Sequence, residues 1–255
     1  MIRPHFLPGA LLLAACSSAP VVTTTAPAAE ASSGLERSGQ LVLVTTPDWS
    51  ATTGTLRRFS RALPGGGWQQ VGANVAIVVG RTGLAWGDAA LAAPGDPVKH
   101  EGDGKSPAGV FPLDTAFGFM PRDSMQSLRV PYVMLEPGSD CVDDESSAHY
   151  NTVVDRALVP RVDWNSAEHM RQIAVYRIGV IVGYNAAPPV RGRGSCIFLH
   201  IWSGPASVTA GCTAMDAGAL DGLMHWLDRD RRPVIVQLPE AEYQRLASRW
   251  ALPPR

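Results

Sequence analysis

The pattern of apolar and polar positions predicts a chain built mainly from short β-strands. Residues 40–46 (QLVLVTT) are predicted to form an opening strand, and residues 74–79 carry a continuous apolar run that is typical of a strand. Residues 81–83 (RTG) indicate a tight turn, so we expect a hairpin between residues 74–79 and 84–87. Further strands are predicted at residues 68–71, 110–113, 130–135, 173–184, 195–202 and 233–238, whereas residues 55–63 are ambiguous. Residues 173–184 are the longest strand candidate.

Helical spacing is confined to two segments near the end of the chain. After Asp216, a suitable N-cap, four apolar residues recur at the i, i+3, i+4, i+7 spacing: Leu220, Leu223, Met224 and Leu227. Residues 239–250 predict a final helix with three apolar residues on one stripe: Tyr243, Leu246 and Trp250. The sequence therefore predicts one β-rich α+β domain at residues 40–255, with two or three peripheral helices.

The first 39 residues follow a different pattern. A basic start and a short apolar stretch predict a secretory signal peptide at residues 1–15. Residues 13–16 (LAAC) resemble the lipobox of bacterial lipoproteins, which implies lipidation of Cys16 and a membrane anchor; the alternative is an ordinary signal peptide. Residues 16–39, rich in Ala, Ser, Thr and Pro, are predicted to be a disordered tether. We expect an exported lipoprotein that faces the periplasm or cell envelope, with the outer membrane favoured by Ser17.

Composition narrows the classes of partner. The 255 residues carry a net charge of -1, which gives no electrostatic reason to expect nucleic acid. No apolar run approaches the ~20 residues of a membrane-spanning helix. Neither a nucleotide fingerprint nor convincing zinc spacing is present, so we expect no nucleotide, no metal and no cofactor.

The cysteines suggest one pair and one reactive thiol. There are four, at positions 16, 141, 196 and 212. In an oxidising compartment thiols pair unless something prevents it. If Cys16 carries lipid, three remain, and the natural partition is one disulfide and one unpaired cysteine. Catalysis is the usual reason for an unpaired cysteine there.

His200 and Cys212 form the strongest chemical pair in the sequence. The histidine ends a predicted strand, and the intervening turn lets the chain double back and bring the imidazole to the thiol. A free thiol titrates near ~8.5, so a neighbouring base is needed to generate the thiolate that attacks a carbonyl. The backbone N–H groups of Gly211 and Cys212 are candidates for an oxyanion hole. The alternative is a buried cysteine beside a core histidine.

Two segments carry a resemblance to a known family. His200 with residues 209–215 (TAGCTAM), together with residues 101–111 (EGDGKSPAGVF), resembles the signature of the YkuD-type L,D-transpeptidases, also called the ErfK/YbiS/YcfS/YnhG family. The likeness covers roughly residues 73–238. It implies a β-sandwich with a small helical subdomain, Cys212 as the nucleophile and His200 as the general base, oriented by a backbone carbonyl.

The resemblance also implies a reaction. In this family the cysteine attacks the carbonyl of the diamino acid that precedes a terminal D-Ala in a peptidoglycan stem peptide. D-Ala leaves, and the thioester passes to an amine of a second stem, or to a lipoprotein, a D-amino acid or water. Family members often carry an Arg where this chain has Ala214, and we consider Arg191 or Arg193 as its substitute.

Several further residues are candidates of lower rank. We predict a disulfide between Cys141 and Cys196, which would pin the 137–144 loop beside the strand of His200; the alternative is two buried free thiols.

An acidic cluster at residues 140–145 is predicted to be a solvated turn rather than a calcium site. Asp103, Lys105 and Ser106 are expected to hold their loop in shape. The candidates to line the substrate are His100, Tyr150, Asn151, Trp202, Thr209 and Thr213.

The sequence therefore predicts a lipid-anchored cysteine acyltransferase of peptidoglycan stem peptides. One alternative is an L,D-carboxypeptidase or cross-link-releasing hydrolase on the same fold, in which water is the acceptor. A second is a non-catalytic lipoprotein that binds the cell wall.

Overall fold

The computed structural model describes Met1 and residues 35–254. The predicted signal peptide, Cys16 and most of the predicted tether lie outside the described residues. The packed part begins before the predicted boundary at residue 40, because Leu35 is 2% exposed within the main core and Ser38 is fully buried. Arg61 donates hydrogen bonds to the carbonyl oxygens of both residues. Residues 35–39 therefore belong to the folded domain and not to a tether.

The described part of the chain is rich in short strands. In chain order they are β1 Gln40–Thr46, β2 Thr53–Ser60, β3 Gln69–Val78, β4 Leu84–Trp86, β5 Ser106–Pro112, β6 Thr115–Gly118, β7 Tyr132–Met134, β8 Ser139–Val142, β9 Val153–Asp155, β10 Ala167–His169, β11 Ile178–Ile181, β12 Phe198–Ile201, β13 Thr213–Met215 and β14 Val234–Pro239. Helix α1 (Ala217–Trp226) follows β13, and helix α2 (Glu240–Leu246) follows β14. Short 3-10 turns lie between several of the other elements.

Two sheets organise these strands. The main sheet has eleven strands in the order β4-β5-β14-β1-β2-β3-β13-β12-β11-β6-β7, and the small sheet has three in the order β10-β8-β9. The main sheet is mixed: β12 pairs parallel with β13, whereas β12 and β11 are antiparallel. The predicted β-rich α+β class is confirmed at this level. Within residues 35–254 no helix is both long and apolar enough to cross a membrane.

Helix α1 shows how local sequence and packing agree. The Asp216 carboxylate accepts the N–H groups of Gly218 and Ala219, which would otherwise lack partners at the helix N-terminus. The apolar stripe of the helix is buried in the main core. Each fully buried side chain of this kind contributes roughly 1.5–3 kcal/mol. The helix predicted after Asp216 is confirmed, and so is the opening strand at residues 40–46.

Two predictions from the sequence are wrong, one about a hairpin and one about a strand. The strands flanking residues 81–83 form no hairpin, since β4 pairs in parallel with β5 while β3 pairs with β2 and β13. Gly83 has a positive φ of 86°, and a Cβ there would overlap the carbonyl oxygen of Trp49, so this turn sends the chain to another part of the sheet. Residues 173–184 contain a 3-10 turn at Ala174–Tyr176 before β11 begins at Ile178. Their apolar residues suggested a strand, but Tyr176 turns its side chain towards the candidate site.

Candidate active site

Cys212 lies immediately before β13, where two hydrogen bonds fix its backbone. It is the free cysteine of the described residues and is 5% exposed. Its carbonyl oxygen accepts the hydroxyl of Ser106 at 2.8 Å and that of Thr209 at 2.6 Å. These two bonds hold the backbone that carries the sulfur from both sides.

The segment at residues 101–111 lies directly against Cys212. Ser106 begins β5, and its hydroxyl accepts the Gly80 N–H at 2.9 Å while it donates to the Cys212 carbonyl. Asp103 holds the loop that precedes Ser106 in shape, because its carboxylate accepts hydrogen bonds from the Lys99 ammonium and from the Lys105 N–H. Two segments that lie far apart in the sequence therefore meet at the cysteine, and the expectation that Asp103 and Ser106 hold the loop agrees with these bonds.

The Cys212 thiol is buried and makes few hydrogen bonds. Its Sγ accepts the Phe198 N–H at 3.2 Å and lies 3.4 Å from the Cys196 carbonyl oxygen, to which the S–H donates. Burial raises the pKa of the thiol well above its usual range, and the Glu168 carboxylate raises it further. The Phe198 N–H, the Tyr176 hydroxyl and Lys99 oppose this shift only in part. The resting thiol is therefore protonated at neutral pH.

His200 lies on β12 with its ring in a defined state. It is 7% exposed, and its Nδ1 lies 2.8 Å from the Ile201 carbonyl oxygen. A carbonyl oxygen can only accept, so Nδ1 carries the proton and Nε2 is left as an acceptor. Burial lowers the pKa of the imidazole, which is therefore neutral at pH 7. The ring packs edge-on against Tyr176, with 5.2 Å between ring centroids.

His200 and Cys212 line one cavity but are not hydrogen-bonded to each other. The cavity has a volume of about 400 Å³. Among the described residues, the polar contacts of the thiol are Phe198, Cys196 and Tyr176, and the imidazole bonds Ile201. The expected proximity is thus present as a shared cavity, whereas the expected direct imidazole–thiol bond is absent.

The small sheet and the loop before β5 together supply an acidic wall to the cavity. Glu168 on β10 accepts the Tyr176 hydroxyl at 2.7 Å, and Glu101 accepts the hydroxyls of Tyr150 and Ser195 at 2.7 Å each. Burial raises the pKa of Glu168 to about 7, and the nearby carboxylates of Asp143 and Glu101 add to the rise. The Tyr176 hydroxyl acts in the opposite direction. Glu168 therefore changes its charge near neutral pH.

A disulfide joins this small sheet to the strand of His200. Cys141 on β8 is bonded to Cys196, which lies just before β12, with 5.9 Å between the Cα atoms. Cys141 is the register partner of Glu168 in the β8–β10 pair. The Cys196 carbonyl in turn contacts the Cys212 thiol. The disulfide therefore links the backbone that positions Glu168 to the backbone that surrounds the sulfur.

The acidic cluster at residues 140–145 is not simply a solvated turn. Asp140 is 2% exposed and accepts from Arg156, Trp164 and His169. The bond from His169 reaches from β10 to β8, so it helps to hold the strand that carries Glu168. The prediction failed because a run of acidic residues in a loop reveals nothing about its distant partners.

The predicted lining residues have mixed outcomes. Thr209 lines the cavity, and its hydroxyl accepts the Gly211 N–H at 3.1 Å, so that N–H is engaged within the loop rather than open to an oxyanion. Thr213 is 2% exposed and bonds Gln237 in the interior. Neither His100 nor Trp202 is among the residues that line the cavity.

Tyr150 and Asn151 act behind the cavity wall. The Tyr150 hydroxyl bonds Glu101, and Asn151 accepts the Cys196 N–H at 2.9 Å while its amide donates to the carbonyls of Tyr184 and Asn185. Both side chains brace the wall, and neither lines the cavity. Arg191 and Arg193 do not line it either; the cations that do are Arg81 and Lys99.

Sequence reasoning missed the most distinctive residues of the cavity: Arg81, Lys99, Glu101, Glu168 and Tyr176. Glu168 lies between two predicted strands and Tyr176 inside the strand predicted at residues 173–184, and neither matches a motif, so no sequence signal marked them. Glu101 is the first residue of the recognised segment 101–111 and Lys99 lies two residues before it, so both could have been found from that position. A larger cavity of about 700 Å³, beside β5 and β14, is lined by neither cysteine nor histidine.

Comparisons with protein-family models, with curated proteins and with solved structures each find no match to this chain. Within residues 35–254 no group of His, Cys, Asp or Glu side chains is placed to hold a metal ion.

Proposed function

We propose that this chain is a cysteine acyltransferase that acts on peptidoglycan stem peptides by L,D-transpeptidation. The observation that carries the proposal is the single free cysteine of residues 35–254, which shares a cavity with a histidine held in one tautomer by a backbone carbonyl. The resemblance of residues 101–111 and 209–215 to the YkuD-type family supplies the substrate class. The contact between Ser106 and the Cys212 carbonyl supports it, because it joins those two segments at the sulfur.

The proposed reaction has two half-reactions. Ionised Cys212 attacks the carbonyl that precedes the terminal D-Ala; the carbon–nitrogen bond breaks, and D-Ala leaves as an amine after taking up a proton. The thioester then receives the amine of a second stem peptide, which loses a proton as the new amide forms. His200, with Nε2 unprotonated, is suited to accept a proton in this sequence.

Arg81 is the residue we assign to the terminal carboxylate of the donor stem. Lys99 also lines the cavity, but it is 3% exposed and committed to Asp103 at 2.7 Å. Arg81 is exposed and makes one long bond, 3.4 Å, to the Gly102 carbonyl. An exposed guanidinium can form the bidentate bond that a carboxylate favours, which would fill the role left open by Ala214.

The fold family and the cellular location of the protein are part of the same proposal. We assign the domain to the L,D-transpeptidase-like β-sandwich, and we place the protein in the cell envelope, anchored through lipid on Cys16. Expression of the full chain and its Cys16→Ala variant, followed by membrane fractionation and mass analysis, tests the anchor. A lipid adduct and membrane association that both require Cys16 support it, and a soluble, unlipidated wild-type protein contradicts it.

Incubation with purified muropeptides tests the activity. The expected result is release of D-Ala together with a cross-linked dimer, and neither product with the Cys212→Ala variant. A shortened monomer without a dimer would favour the hydrolase alternative. Wild-type protein that binds peptidoglycan but changes no muropeptide would favour the non-catalytic binder and contradict the proposal.

A further inference from the structure

We propose that the large cavity beside β5 and β14 binds the glycan strand of peptidoglycan, a chain of N-acetylated sugars that carries the stem peptides. The inference deepens the proposed function and rests on it, because it names where another part of the same polymer lies. The cavity has a volume of about 700 Å³, within the usual range for small-ligand sites. Among the described residues, none lines both this cavity and the cavity of Cys212, so the two are separate sites.

The floor of the cavity is an apolar face of the main sheet. Val110 and Pro112 on β5 lie on the same face as Val234, the register partner of Pro112 on β14. Leu91 adds a further apolar side chain to the lining. A pyranose ring presents a face of C–H groups, and contact with an apolar floor removes that face from water. The floor therefore fits the carbon face of a sugar.

The polar lining offers both hydrogen-bond donors and acceptors. Three arginines, Arg37, Arg229 and Arg232, and two aspartates, Asp88 and Asp114, line the cavity, so positive and negative charges nearly balance. Guanidinium groups only donate hydrogen bonds and carboxylates only accept them, whereas a sugar hydroxyl does both. Two carboxylates would repel a bound anion. This lining therefore fits a neutral ligand that is rich in hydroxyl and amide groups.

Four of these polar groups have bonding capacity to spare. Within residues 35–254, the guanidinium groups of Arg229 and Arg232 make no hydrogen bond or ion pair. Asp88 and Asp114 each use Oδ1 for one local hydrogen bond, at 2.9 and 3.1 Å respectively. In the same part of the chain the Oδ2 atoms of both carboxylates are unbonded. Two donors and two acceptors are thus available to a ligand in the cavity.

The backbone of Arg232 adopts a conformation that favours glycine. Its φ is 49° and its ψ is 63°, at the end of the 3-10 turn Arg229–Arg231. This left-handed conformation is unfavourable for a residue with a Cβ, and such strain concentrates at sites where a side chain has a function. Here it accompanies an arginine on the wall of the cavity.

Strand β5 connects this cavity to the candidate active site at a suitable distance. The strand begins at Ser106, whose hydroxyl bonds the Cys212 carbonyl, and its second half lines the cavity. Val110 lies four residues after Ser106, which at about 3.3 Å per residue is roughly 13 Å. In the proposed reaction three stem residues, roughly 10 Å of extended peptide, and a short lactyl link separate the attacked carbonyl from the sugar. The two lengths are comparable, so one donor can occupy both sites.

A row of packed residues leads from one cavity to the other. Phe111 lines the large cavity and a smaller one of about 200 Å³, and its ring packs edge-on against Tyr184 with 5.3 Å between centroids. A Cβ at Gly194 would lie 3.0 Å from the Lys99 Nζ and 3.3 Å from the Tyr184 ring, so Gly194 lies between these two side chains. Lys99 lines the cavity of Cys212. The smaller cavity therefore extends the large one towards the active site, as a polymeric ligand requires.

Binding of chitotetraose, a neutral chain of four N-acetylglucosamine units, tests the inference without any transfer reaction. NMR titration of the full chain measures Kd for wild type and for the variants Arg232→Ala and Asp114→Ala, each of which removes one polar group of the lining. We expect wild type to bind the sugar and each variant to bind it about tenfold more weakly, the effect of losing one hydrogen bond to a charged group. Arg249→Ala and Asp123→Ala, at exposed residues outside the cavity lining, are matched controls and should keep the wild-type Kd.

A parallel titration with inorganic phosphate separates a sugar site from an anion site. Phosphate binding that Arg232→Ala weakens, without any binding of chitotetraose, overturns the inference. So does a wild-type protein that binds neither probe, or sugar binding that both cavity variants leave unchanged. Cavity-dependent sugar binding by a protein that changes no muropeptide would support the glycan site while it contradicts the proposed reaction. Should one cavity variant fail to fold, the other variant and the controls still decide.

Discussion

The two sheets contribute to the site in different ways. The main sheet supplies Cys212 and His200 from adjacent parallel strands. The small sheet supplies Glu168 and Cys141, one of the two cysteines of the disulfide. The main-sheet residues were predictable because they belong to a short sequence motif, although β12 and β13 are only four and three residues long. The small-sheet strands are equally short but match no motif, so the sequence did not reveal which strands pair. The comparison teaches that the nucleophile can be recognised from sequence, whereas the charges that control it are assembled by tertiary contacts.

Breaking the link between the sheets should have the largest effect. The Cys141–Cys196 disulfide closes a loop with a sequence separation of 55 residues, for which chain entropy gives about 4 kcal/mol. The double variant Cys141→Ala/Cys196→Ala should lose about that much unfolding free energy in urea. Its acyl-transfer rate should also fall at temperatures where it is still folded, because the Cys196 carbonyl that accepts from the Cys212 thiol loses its support.

A buried main-sheet residue provides the matched control. Leu43 is fully buried on β1, and Leu43→Ala should cost about 2–5 kcal/mol of stability. Below its melting temperature this variant should keep the wild-type rate. Equal rate losses in the two variants would show that the disulfide affects the site only through global stability.

The His200→Ala substitution tests the contribution of the main sheet to the reaction. We expect His200→Ala to lower muropeptide transfer by at least ~10²-fold, the usual effect of losing proton transfer. Steady-state turnover assays measure the loss, and a folded His200→Ala variant that keeps the wild-type turnover would contradict the role of His200.

Whether a residue's role could be predicted from the sequence depends on the kind of information that defines it. Burial and helix capping follow from local pattern, which explains β1 and the helix after Asp216. The cysteine and histidine were found because their motif is contiguous. Tyr176 was assigned to a strand because its neighbours are apolar, and the 3-10 turn that places it in the cavity lining has no local signature. Glu168 was missed because its significance comes from the contacts of one carboxylate.

The Arg81→Ala substitution should have a moderate effect on the KM for the donor. If it binds the donor carboxylate, Arg81→Ala raises KM about tenfold with little change in kcat, as expected for one exposed charge-assisted contact. Arg191→Ala, at an exposed arginine outside the cavity lining, is the control. Steady-state kinetics with a tetrapeptide donor measures both. A raised KM in Arg191→Ala and an unchanged one in Arg81→Ala would reverse the assignment.

Glu168 should have a pH-dependent effect on stability. Its pKa is about 7 in the folded protein against a reference value of 4.5, so its contribution is fully present below 4.5 and is lost as the pH rises through 7. Glu168→Gln removes that loss and should gain about 3 kcal/mol relative to wild type at pH 8 compared with pH 4. Urea unfolding at both values measures it. A difference that is independent of pH would contradict the raised pKa.

The most direct test of the nucleophile is the mass of the enzyme during turnover. The protein is mixed with a tetrapeptide stem donor without an acceptor, quenched in acid and digested. The account predicts an adduct on the Cys212 peptide equal to the donor minus D-Ala, removed by hydroxylamine and absent from Cys212→Ala. Free D-Ala released without any adduct at Cys212, or an unmodified Cys212 peptide beside unchanged donor, would contradict it.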